Sequence, residues 1–165
     1  MKLYIRQKVF SWVDRFTVTD ETEAVRYTVE GEFLSLGKKL HVYDPQGLEA
    51  AYIQQKVLSF LPRYFVFVGG EQIADIHKEF TFFSQRYTVD GPDWTVSGDI
   101  LAHDYEITDR SGSSVVTIHK AWLTWGDFYE LDIAHAADET AALAVVLAID
   151  CAIASAAAAS RSADD

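Results

Sequence analysis

The sequence predicts a mainly β protein: a closed antiparallel barrel of about twelve strands, in two similar halves, around one central hydrophobic C-terminal α-helix. Three observations predict it. Residues 3–134 run as short segments rich in Tyr, Val, Ile, Phe and Thr, broken by Asp, Gly, Pro and Ser. Residues 138–160 then read DETAALAVVLAIDCAIASAAAAS without a Gly or Pro, which is a helix composition. Finally, the hairpin sequences repeat. The 165 residues suffice for one domain with a core, and 49% hydrophobic with 24% charged residues is an ordinary globular balance.

The strands are expected at 3–9, 14–19, 24–31, 39–44, 49–55, 63–69, 72–78, 86–90, 94–99, 104–109, 114–122 and 127–134. Asp44-Pro45-Gln46-Gly47, Gly69-Gly70 and Asp109-Arg110-Ser111-Gly112 are reversal sequences. Such short connections imply antiparallel neighbours.

Tyr4–Thr19 aligns without gaps onto Tyr52–Phe67, with Tyr, Ile, Gln, Lys, Val, Ser, Arg and Val identical. Ile76–Asp90 likewise aligns onto Ile118–Asp132. Lys8, Lys56, Lys78 and Lys120 fall at matching positions of these four hairpins. A related stretch, Tyr27–Gly31 and Tyr87–Gly91, accompanies each pair. The period is too long for a solenoid and points to a duplicated half-barrel.

The helix has three possible settings. A tail anchor would have the right length, but Asp150 near the middle would cost about 2.5–3.5 kcal/mol there. A surface helix needs a polar face, and Ala141–Ala159 has almost none. The third setting is the barrel interior. Eight strands leave a space that side chains fill, and twelve leave a hole. Asp138 would cap the helix, Glu139 would suit its first turn, and 161–165 would fray. Asp150 would then be a buried polar group that needs a partner from the wall, or a place at an open end.

Charge and cysteine content exclude several functions. Fourteen Lys and Arg against 25 Asp and Glu give a net charge of −11, the wrong sign for a nucleic-acid binder. A single cysteine, Cys151, excludes an internal disulfide and a cysteine zinc site. The first ten residues carry Lys2, Arg6 and Lys8, which no signal-peptide core would; a cytoplasmic location is expected. The five histidines show no metal spacing, with His77 and His119 expected to be packed or half-buried. No nucleophile, base and orienter stand in a recognisable pattern, so neither catalysis nor a cofactor is expected.

The opening MKLYIRQKVFSWVDRFTV, the segment YTVEGEFLSLGKKLHVYD and the hydrophobic C-terminal helix resemble the LURP-one-related family, grouped with the tubby C-terminal-like proteins and the phospholipid scramblases. The resemblance covers essentially the whole chain. It implies a twelve-stranded barrel around a central helix. It also implies lipid chemistry, since tubby domains bind phosphoinositides through basic residues and scramblase-like relatives are linked to lipid movement. The candidate ligand-binding residues are the repeat lysines Lys8, Lys56, Lys78 and Lys120 with Arg6, and the adjacent pair Lys38 and Lys39. Lysines on strand edges also serve solubility. The expected function is therefore a non-catalytic binding or scaffold module for a phospholipid head group or a protein. A small-ligand carrier or enzyme with a pocket at a barrel mouth, and a tail-anchored protein, are the alternatives.

Overall fold

A computed structural model describes residues 1–6, 15–32, 35–79, 86–123 and 126–163. Twelve strands form one sheet: β1 (Lys2–Arg6), β2 (Phe16–Asp20), β3 (Val25–Gly31), β4 (Lys39–Tyr43), β5 (Glu49–Gln55), β6 (Arg63–Val68), β7 (Glu71–Lys78), β8 (Tyr87–Asp90), β9 (Thr95–Asp99), β10 (Asp104–Thr108), β11 (Ser114–Leu123) and β12 (Gly126–Ile133). A 3-10 turn, Ala136–Asp138, leads into α1 (Glu139–Ala163). Each strand pairs antiparallel with its sequence neighbours, except β8 with β9, and β1 pairs β12. The ring is nearly closed. Its seam lies between β8 and β9, which among the described residues are joined by the bridge from Val89 to Trp94.

Period-two alternation decides what faces in. Leu3 and Ile5, Tyr27 and Val29, Ala51 and Ile53, and Ile118 and Leu131 are buried, while their neighbours along each strand face out. β9 is the exception, with four of its five residues exposed. The register shifts at Val18/Thr19, Val42/Tyr43, Val66/Phe67 and Ile107/Thr108, each in a strand running toward the start of α1. Such bulges bend a sheet and tighten its twist. Gly91 faces the same pole: a Cβ there would meet the Ile73 carbonyl oxygen at 2.2 Å, and its φ is 125°. Only glycine fits.

The helix occupies the barrel. Ala142 to Ile149 are all 0% exposed, as an all-round apolar helix requires. It is by length and composition able to cross a membrane, yet the wall encloses this stretch and packs closest from β5, β6 and β7. Two expected bounds change. The helix begins one residue after Asp138 and continues through Ala163, so 161–163 are helical where fraying was expected. The Tyr27–Gly31 and Tyr87–Gly91 likeness is not architectural, because β3 and β8 run in opposite directions.

The barrel therefore has a proximal pole, where α1 starts, and a distal pole, where it ends. Arg26 from β3 ties the helix start at the proximal pole, reaching both carboxylate oxygens of Glu139 at 3.0–3.1 Å through Nη2. Tyr27 and Thr140 share a hydroxyl hydrogen bond of 3.1 Å beside it.

Candidate functional site

The connections β1–β2, β3–β4, β5–β6, β7–β8, β9–β10 and β11–β12 all join strands at the distal pole. Among the described residues, only Lys2, Arg26 and Arg110 of the Lys and Arg set belong to the proximal pole. The proximal turns instead carry Glu21, Asp44, Glu71, Asp93, Asp109 and Asp138. The described cations therefore gather at the distal pole, which also carries Glu32, Glu79, Asp99 and Asp104.

Four cations sit on adjacent strand ends. Lys56 follows β5 and its N–H donates to the Arg63 carbonyl at 2.9 Å. Lys78 ends β7 and its N–H donates to Pro62. The Glu79 N–H donates to the carbonyl of Arg86, which precedes β8. Lys56, Arg63, Lys78 and Arg86 therefore form an arc along β5 to β8. Two carboxylates temper it. Asp75 accepts from the Arg63 guanidinium at 2.8 Å, and Glu79 accepts from the Thr88 hydroxyl at 2.5 Å. The arc keeps a surplus of two cations.

Lys56 and Arg63 bracket a loop of unusual exposure. Leu58 is 99% exposed and Phe60 95%. Leu58 also has a φ of 62°, a left-handed setting that costs a leucine about 1–2 kcal/mol. Neither the backbone nor the core gains from these side chains. Moving each from water into an apolar phase would be worth about 1.5–3 kcal/mol. Leu36 and Leu101, in the β3–β4 and β9–β10 connections, are also exposed at this pole.

Beneath the rim lies the buried polar cluster. Asp150 accepts a hydrogen bond from the Tyr129 hydroxyl at 2.5 Å, and its other oxygen lies 3.2 Å from His103 Nε2. The His103 and Tyr129 rings stack with centroids 4.6 Å apart. His103 occupies the β9–β10 tip with a φ of 54°. Burial works against protonation of His103, as does the charge of Lys120, but the hydrogen bond and charge of Asp150 prevail and raise its pKa. Burial, then the Asp150 charge, pushes the Tyr105 phenol well above its usual value. Burial likewise pushes up the Cys151 thiol, against the charge of Lys38.

The model of the LURP-one-related family matches residues 1–150. The chain belongs to the LURP-one-related family. The uncharacterized protein YxjI of Bacillus subtilis (strain 168) is 35% identical over 151 residues, which span 91% of this chain and 92% of that one. The X-ray structure of the Arabidopsis thaliana protein AT5G01750 has a similar fold, with a TM-score of 0.61 at 17% identity, covering 90% of this chain and 89% of that one.

In this LURP-one-related barrel the expected site residues separate. Lys56 and Lys78 lie two strands apart, at the distal ends of β5 and β7. Lys120, their repeat equivalent, lies on β11, six strands around the ring from β5. Lys38 is half-buried, and burial lowers its pKa, while Lys39 pairs outward with Glu32 at 3.0 Å. Arg6 ends β1 and is described by its backbone; Lys8 lies outside the described residues. Asp150 has the wall partners that burial required. His77 is half-buried as expected, but His119 is exposed and meets Asp104 at 3.0 Å. Arg63 was the omission the repeat could have supplied, since it aligns with Arg15. Among the described residues, no three His, Cys, Asp or Glu side chains gather to hold a metal. A hollow of about 440 Å³ runs along the outer wall by Thr28 and Tyr43 and reaches the proximal turn at Asp44 and Gly47.

Proposed function

We propose that the protein is a non-catalytic module that binds an anionic phospholipid head group through the arc of Lys56, Arg63, Lys78 and Arg86. The placement of these cations on four adjacent strand ends carries the reading, because a phosphate gains most where several donors can reach it together. The buried cluster supports the non-catalytic part. Among the described residues His103 Nδ1 is buried without a partner, which keeps the Asp150–His103 pair from water. The protein then works at the periphery of a membrane, on the cytoplasmic side, where a single free thiol is at home.

Flotation with phosphatidylcholine vesicles, with and without phosphatidylglycerol, tests this. The chain should float with the anionic vesicles at low salt and progressively less as salt screens the attraction. Lys56→Glu with Lys78→Glu and Arg86→Glu should abolish flotation, and Lys2→Glu at the proximal pole should not. Failure of the unaltered chain to float at low salt refutes the reading.

A further inference from the structure

We infer that the β5–β6 tip is a membrane-insertion element, with Leu58 and Phe60 entering the interfacial layer of an anionic bilayer. This rests on the head-group reading above and adds to it a hydrophobic contact that salt does not screen.

The argument begins with what these residues do not do. Leu58 and Phe60 are almost wholly exposed, so they contribute no burial to folding. They stand in the six residues between Lys56 and Arg63, both on the arc. Apolar tips flanked by cations match the layering of an anionic membrane surface, where phosphates lie outside the acyl chains. The occupant is a bilayer because the feature protrudes and charge complements it on either side. Charge at the other pole agrees: its acidic turns would be repelled by the same surface, leaving one orientation. Leu36 and Leu101 lie at the favoured pole too. The gapless repeat sets Phe10 and Trp12 at the sequence positions of Leu58 and Phe60.

The experiment uses the full chain. Its single cysteine, Cys151, is buried, so Leu58→Cys can be labelled selectively with an environment-sensitive fluorophore. Leu48→Cys, 67% exposed in a proximal turn, is the matched control. On adding phosphatidylglycerol-containing vesicles, the label at 58 should brighten, shift to the blue and escape an aqueous quencher, while the label at 48 stays unchanged. Leu58→Ser with Phe60→Ser should keep its melting temperature and lose vesicle partitioning by about tenfold or more at moderate salt. Flotation with the label at 58 still in water would overturn insertion and leave the head-group reading standing. Absence of flotation would overturn both.

Discussion

The two poles of the barrel are made by the same twelve strands and follow different rules. At the proximal pole, Asp20, Asp44 and Asp109 each accept hydrogen bonds from backbone N–H groups two and four residues on. Each of those turns satisfies its own polar groups. At the distal pole, the Leu58 and Phe60 side chains are left almost wholly exposed. Local chemistry explains the first set of connections, and the membrane contact we propose would explain the second.

The helix sharpens this contrast through stability. The largest effect is expected from Leu147→Ala, which empties a fully buried site and should cost about 2–5 kcal/mol in denaturant unfolding. A loss under about 1 kcal/mol would mean that the barrel does not grip its helix. Next is Tyr129→Phe, which leaves a buried oxygen of Asp150 without its donor and should cost about 1–3 kcal/mol.

A pH effect follows in size. The pKa of His103 is raised from its usual 6.5. The stability it contributes is full below that value and is lost as pH climbs through the folded pKa. His41 has the same sign: burial opposes its protonation, but Glu49 and Glu32 together prevail. Melting temperature should therefore fall as pH rises from about 6.5, and His103→Gln should flatten the fall without removing the part due to His41. An unchanged slope would show that His103 does not hold its proton in the fold.

Smaller still is Arg26→Ala at the proximal helix start. Its ion pair is partly exposed, so a loss of no more than about 1 kcal/mol is expected by thermal unfolding. Smallest is Leu58→Ala, which should change stability by less than about 0.5 kcal/mol. Two leucines in one chain would then differ wholly because one, on the helix, is enclosed by the barrel wall and the other faces water.

Much of the fold was legible because it is written in short-range pattern. Alternation at Tyr27 and Val29 or Ala51 and Ile53 marks a wall with one face inward, and the Ala-rich run after Asp138 marks what fills it. The site was less legible because it depends on strand order. Asp150 announced that it needed a partner, yet His103 lies 47 residues away and Tyr129 lies 21 away, and no spacing rule joins them. The repeat lysines showed a shared strand position, hence a shared pole. Which side of the ring each occupies depends on topology, and Lys120 is separated from Lys56 for that reason. Leu58 and Phe60 read as ordinary apolar residues until their exposure was known.

Amide hydrogen exchange of the whole chain, with and without phosphatidylglycerol-containing vesicles, tests the central claim most directly. New protection should appear at 57–61 and at Leu36 and Leu101, with none at the proximal turns 21–24, 44–48 and 109–113. Protection gained at the proximal turns, or at neither pole in vesicle-bound protein, would contradict the account.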